Sequence, residues 1–290
     1  MSPLLIAEQA LNGLQLGTML FLMAAGLTLV FGIMNLVNLA HGSLYMAGAY
    51  LAATLFRHTD SFLLAGAGAF VGVLILGIVL ELAVLKRFYA RDHLDQVLAT
   101  FGLIMFFNET ARIIWGPQAV FMPLPQALEG TVMLIPGAPY PLYRLVTIGV
   151  GLAVAVALYF LINRTKLGML IRAGASNRRM VEALGVNITL LYTLVFGLGA
   201  GLAALAGTMA GPLLSVQVGM GDGVLILTLV VIVIGGIGSI RGAFVAAILV
   251  GLTDTFGRML LPAALAEMSI YILMASILFW RPQGLFAAND

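Results

Sequence analysis

Two places in this sequence set a serine beside groups that could serve nucleophilic chemistry, His41-Gly42-Ser43 and Gly238-Ser239. A serine nucleophile needs a base within hydrogen-bond reach and a turn that presents its hydroxyl. Adjacent His and Ser point in different directions, and no G-x-S-x-G elbow occurs, so an intramembrane hydrolase is disfavoured. No G-x-x-x-x-G-K-[ST] loop is present either, which rules the chain out as a P-loop ATPase. The other chemistry-bearing residues are acids in apolar surroundings, Glu81, Glu109, Asp254 and Glu267. Glu109 lies three residues before Arg112 and Asp254 four before Arg258, so each pair can meet on a helix. Such pairs are either structural or part of a proton relay in a secondary transporter. With no cysteine and three scattered histidines, neither a disulfide nor a metal centre is expected.

A further polar set is Asn35, Asn38, His41 and Ser43, where a spacing of three would place the first three near one helical face. In lipid, such groups either satisfy a broken backbone or line a pathway through the bundle. Both readings stay open, and a tentative substrate path comprises Asn35, Asn38, His41, Gly42, Ser43, Gly235, Gly236, Gly238 and Ser239.

The elements that must position these residues follow from composition. With 62% hydrophobic and 9% charged residues over 290 positions, and a mean hydropathy of +1.10, the chain cannot coat a soluble globule. It reads as an all-α polytopic membrane protein, a single transmembrane domain over 1–290 lying in the lipid bilayer. The basic residues do not form an aromatic-interleaved stripe, so nucleic acid is not expected as a partner. No cleavable signal peptide is expected at the N-terminus. Clear spans are expected at about 10–34, 62–85, 95–116, 142–163, 188–212 and 264–280, with less regular ones at 36–56 and 223–258, about eight segments in all.

Cytoplasmic loops collect Lys and Arg. The clusters Lys86, Arg87, Arg91 and Arg164, Lys166, Arg172, Arg178, Arg179 are therefore expected inside. The proline-rich connection 117–141, with Pro117, Pro123, Pro125, Pro136, Pro139 and Pro141, then lies outside as an irregular loop. The N-terminus is expected outside and the C-terminus, near Arg281, inside.

Glycines break the helical pattern at about 34–43 and 235–242, and segments 38–52 and 236–251 resemble each other weakly. Gly-interrupted segments in opposite halves are the sequence sign of inverted repeats.

The region 164–187 carries five of the fourteen basic residues between two apolar runs. Ser176 and Asn177 are N-cap types ahead of R-R-M-V-E-A-L, and Gly185 suits a C′ position, so a short cytoplasmic helix is expected.

The order Gly168, Arg172-Ala173, Asn177, Glu182-Ala183-Leu184-Gly185, Val186-Asn187 resembles the coupling loop of bacterial ABC importer permeases, although Arg178-Arg179-Met180 is more basic than that family's pattern. In detail it is similar to LivH-type branched-chain amino acid permeases. G-L-T-L-V-F-G-I-M-N-L-V-N-L-A-H-G-S-L-Y-M-A-G-A-Y, G-G-I-G-S-I-R-G-A-F and the R-P-Q-G-L-F tail match the same family in order. The resemblance implies a multi-pass permease of the bacterial inner membrane that is not an enzyme. It implies partners: a LivM-like second permease, two cytoplasmic ABC ATPases of LivG/LivF type and a periplasmic substrate-binding protein. It also implies that this chain binds no cofactor, ATP and Mg being held by the ATPases, and that Gly168, Arg172, Ala173, Asn177, Arg178, Glu182, Ala183 and Gly185 serve ATPase coupling. The transported class is branched-chain or related hydrophobic amino acids, with urea, amides or aromatic acids as the family's alternatives.

Overall fold

The computed structural model describes residues 2–89, 91–135 and 138–286; Pro136 falls outside them. Its helices are α1 (Pro3–Met34), α2 (His41–Thr59), α3 (Phe62–Ala83), α4 (His93–Trp115), α5 (Leu142–Arg164), α6 (Lys166–Ser176), α7 (Arg178–Ala183), α8 (Ile188–Ala210), α9 (Met220–Gly235), α10 (Ile240–Leu260) and α11 (Ala263–Trp280). Seven of them, α1, α3, α4, α5, α8, α10 and α11, are long and apolar enough to cross a membrane. The less regular stretch at 223–258, with its glycine break at 235–242, is a pair of helices, the 16-residue α9 followed by the full-length, 21-residue α10.

The helix ends carry local signals. Ser2, Ser61, Asn187 and Ser239 each accept a hydrogen bond from a backbone amide two or three residues into the following helix, relieving donors that the helix itself leaves unpaired. Asn35 and Asp60 close α1 and α2 in the left-handed conformation, at φ 49° and 51°, which short polar side chains tolerate best after glycine.

Residues 36–40 are not helical. From Asn35 they climb back along α1, because the His41 ring at the start of α2 lies 3.3 Å from the Met23 carbonyl. Eleven residues of helix separate Met23 from Met34, roughly 16 Å of rise, a distance that six extended residues span. So α2 begins at mid-depth. The segment after α8 behaves likewise: residues 211–219 dip inward, Val216 pairs with Val120, and α9 starts where Gly221 meets Gly42. The connection after α8 therefore does not stay at the surface of the bundle.

The packing repeats with inverted sense. Helix α1 runs antiparallel along α10, with Gly13 on Leu252, Gly17 on Ala247 and Phe21 edge-on to Phe244 at 5.1 Å. Helix α8 runs antiparallel along α3, with Gly197 on Ile78 and Gly201 on Phe70. At the centre α1 crosses α8. A Cβ on Gly26 would stand 2.5 Å from the Gly199 carbonyl oxygen, and one on Gly199 would stand 2.8 Å from that of Gly26. The halves α1–α4 and α8–α11 are thus inverted counterparts joined by α5–α7. The break at 35–40 corresponds to the one at 211–219, and not to the 236–239 turn that the weak sequence likeness suggested.

All the basic residues except Arg57, Arg112, Arg144 and Arg258 lie at one end of the bundle, with the α3–α4 turn, α6, α7 and the tail. Such one-sided charge is what the positive-inside rule expects of a cytoplasmic face. The opposite face carries a small antiparallel hairpin of β1 (Thr131–Ile135) and β2 (Ala138–Pro141). The 117–141 connection is accordingly less irregular than its prolines suggest, since Pro139 and Pro141 sit in β2, which has only one pairing neighbour.

Gly199→Ala should lower thermal stability in detergent by about 1–3 kcal/mol, because backbone on both sides must move. Gly149→Ala, on an exposed helical face with open space around it, should be neutral or stabilising by up to about 1 kcal/mol.

Candidate functional site

The mid-membrane junction is built from the first turns of α2 and α9. Gly42 and Gly221 touch backbone to backbone, and a Cβ on Gly221 would overlap the Gly42 carbonyl. Around this contact Asn38, His41 and Ser43 are buried, at 1%, 0% and 3% exposure. Asn38 Oδ1 accepts from the Ala40 amide at 3.1 Å, and the Met23 carbonyl faces His41 Nε2. Asn38 Nδ2, His41 Nδ1 and Ser43 Oγ have no partner among the described residues. A buried polar atom without a partner costs roughly 1–3 kcal/mol. Repair of the broken backbone therefore accounts for Asn38 Oδ1 and not for the other three atoms.

The structure divides the tentative path into separate places. Asn35 is exposed at the basic face, as the cap of α1, and the helical spacing that joined it to Asn38 and His41 does not exist. Gly235, Gly236, Gly238 and Ser239 form the α9–α10 turn, also at the basic face, where Gly238 lies against Gly32. The tail closes over this turn through Leu285 N–H to the Ile234 carbonyl (2.8 Å) and Phe286 N–H to the Gly235 carbonyl (3.1 Å). Ser239 accepts from the Gly242 amide at 3.1 Å, an N-cap. Only Asn38, His41, Gly42 and Ser43 share one site, and their counterpart across it is Gly221.

Among the acids, Glu109 and Arg112 pair at 3.3 Å with both side chains more than half exposed. Asp254 receives Arg258 Nε on both oxygens, at 3.0 and 2.9 Å. Glu81, fully buried, accepts from the Tyr89 hydroxyl and lies 2.7 Å from Thr193 Oγ1. Sequence reasoning gave Glu81 no role, although an acid at the end of an otherwise apolar run was the signal.

The basic region resolves into two helices. Thr165 caps α6 through the Gly168 amide, and the Arg172 guanidinium donates to the Ile162 carbonyl at the end of α5. A Cβ on Gly168 would overlap that same carbonyl, so Gly168 and Arg172 fix the α5–α6 corner. Asn177 caps α7 by accepting from the Met180 amide at 3.0 Å. Gly185, at φ 85°, closes it with Gly185 N–H to the Glu182 carbonyl and Val186 N–H to the Val181 carbonyl, the hydrogen-bond pair of a Schellman end. Val181 is buried and anchors α7, Ala173 is half-buried, and Glu182 and Ala183 are exposed. Met180 and Leu184 stand 63% and 78% exposed on the basic face.

The sequence profile described as "Branched-chain amino acid transport system / permease component" matches residues 9–278. The chain belongs to this permease family. It is 29% identical to the high-affinity branched-chain amino acid transport system permease protein BraD of Pseudomonas aeruginosa, over 98% of this chain and 96% of that one. It is 27% identical to the corresponding protein LivH of Escherichia coli strain K12, with the same coverage. A probable LivH of Methanocaldococcus jannaschii is 26% identical over 92% of this chain and 88% of its own length. No solved structure matches. This multi-pass membrane protein is thus a transport permease component, and the family favours neither the hydrolase nor the proton-coupled reading.

His41→Leu should leave thermal stability unchanged or raise it, since it removes a buried polar atom that lacks a partner. Uptake by the assembled transporter should nonetheless fall by about tenfold, a loss of roughly 1.4 kcal/mol in the transport step. Unchanged uptake would return His41 to a purely structural role.

Proposed function

We propose that this chain forms half of the translocation path of an ATP-driven importer in the bacterial inner membrane. The path carries branched-chain or related hydrophobic amino acids delivered by a periplasmic binding protein. A LivM-like permease completes it, and two cytoplasmic ATPases of LivG/LivF type hold ATP and Mg and drive it. Residues 164–187 are the coupling loop. Asn38, His41, Gly42 and Ser43 line the closed centre of the path, which opens when the α2 and α9 starts separate.

The observation that carries this reading is α7. Its two ends are capped, its Val181 is anchored, and its Met180 and Leu184 point away from the protein on the face expected to meet the ATPases. A six-residue helix has no intrinsic stability in water. Rigid caps on so short a helix, with apolar side chains directed outward, are what a docking knob requires.

The alternative of a proton-coupled transporter has little to work with. An exposed i,i+3 pair such as Glu109–Arg112 contributes about 0–1 kcal/mol and leads nowhere through the bundle.

Uptake by the reconstituted assembly should stop when the ATPase subunits carry a substitution that blocks hydrolysis; uptake that continues would defeat the proposal. Met180→Glu together with Leu184→Glu should weaken ATPase association by at least about tenfold, given roughly 1.5–3 kcal/mol for each apolar side chain buried on docking. Titration of purified ATPase onto the permease in nanodiscs measures it.

A further inference from the structure

Arg178 opens α7 and is exposed, and a coupling loop does not by itself account for it. Its guanidinium sits 5.3 Å from the ring centroid of Tyr192, near the start of α8. Tyr192 is 2% exposed and meets Tyr89 edge to face, with centroids 5.5 Å apart and planes at 84°. Tyr89 follows the 3-10 turn Leu85–Phe88 beyond α3, and its hydroxyl donates to Glu81 Oε1. Burial first, and then this hydrogen bond, push the Tyr89 phenol up, so it remains a donor. Glu81 Oε2 completes the chain at Thr193 Oγ1, 2.7 Å away on α8. Five side chains from α7, α8, α3 and the turn after α3 thus form one continuous contact.

Stability does not explain such a cluster. A carboxylate with no exposure is costly to desolvate, and its direct partners are two neutral hydroxyls, Arg178 being reached only through the two rings. Well-packed apolar residues at such a seam would serve stability as well or better. What a hydrogen-bonded cluster with edge-to-face rings adds is a fixed geometry between elements that would otherwise slide. The elements it fixes are the loop helix and the two helices leading inward. Helix α8 continues from Tyr192 to the Gly199 crossing with α1 and to Gly207, packed on Tyr45 of α2.

We propose that Arg178, Tyr192, Tyr89, Glu81 and Thr193 are positioning residues that fasten α7 to α3 and α8, so that a displacement of the coupling helix reaches the α1–α8 crossing and the half-helix α2. This rests on the coupling-loop reading above. The cation–π contact needs a cation and a ring but no phenol; the Glu81 contact needs a donor at position 89.

The test uses the full transporter in sealed proteoliposomes and reads amino acid transported across the bilayer per ATP hydrolysed. Arg178→Ala, Tyr192→Leu and Tyr89→Phe should each lower that ratio by about tenfold, within the usual range of a coupling free energy, with the ATPases still bound. Arg178→Lys and Tyr192→Phe should keep it within about twofold. Arg178 is exposed, so its variants fold even if the buried ones do not. A wild-type ratio in Arg178→Ala with ATPase bound overturns the proposal. So does an equal loss in Arg178→Lys and Arg178→Ala. If ATPase binding is unaffected by Met180→Glu and Leu184→Glu, the coupling-loop reading itself fails. If binding responds there but the ratio does not respond to Arg178→Ala, the fastener alone fails.

Discussion

In hydrocarbon no backbone amide or carbonyl can be left without a partner, and this chain begins two of its helices, α2 and α9, halfway across the membrane. Both lead-in segments, 35–40 and 211–219, are tolerable only because each is wrapped in protein. The starts of α2 and α9 are pressed together through Gly42 and Gly221, and the same need for close backbone approach places Gly26 against Gly199 where α1 crosses α8. From these two glycine contacts the rest follows. Helices α3 and α10 must flank the crossing, α4 and α11 are left on the outside with few buried residues, and α5 carries the chain back to begin the second, inverted half.

This arrangement gives the centre of the bundle its character. Two helix starts bring unpaired amides to one depth, and Asn38, His41 and Ser43 add polar atoms that the closed state leaves without partners. A junction held by glycine surfaces, with unmet hydrogen-bonding capacity inside it, has something to gain from separating when a solute with polar groups of its own can enter. The link from the basic face to that junction is α8, which begins beside α7 and ends beside α2.

Much of this was legible in the sequence. Hydropathy located six of the seven complete spans, because twenty apolar residues have few alternatives; the seventh, α10, lay merged with α9 in the less regular stretch 223–258. Asn177 and Gly185 announced both ends of α7, since an Asx cap and a left-handed glycine are local chemistry. The glycine break at 235–242 is real as well. Depth was not legible. Leu36, Val37 and Leu39 make the non-helical 35–40 segment look like part of a span, and Gly211-Pro212-Leu213 looks like an ordinary exit from one. Whether such segments leave the membrane or fold back into it is decided by what they pack on, here α1 and β-like pairing between Val120 and Val216. For the same reason the helical periodicity of Asn35, Asn38 and His41 misled, and the weak likeness of 38–52 to 236–251 joined two breaks at different depths. Glu81 was visible as an acid, but its partners Tyr89 and Thr193 are eight and 112 positions away, and only the fold unites them.

The central claim is that α2 and α9 both begin at mid-membrane and meet there. The chain has no cysteine, so a Met46→Cys, Met220→Cys variant offers two unique thiols on the α2 and α9 sides of the junction, where Met46 Sδ lies 3.3 Å from the Gly219 amide. Treated in native membranes with a short bifunctional thiol reagent and digested, it should yield a cross-linked peptide pair joining α2 to α9. Efficient modification of each thiol singly, with no such pair, would contradict the account.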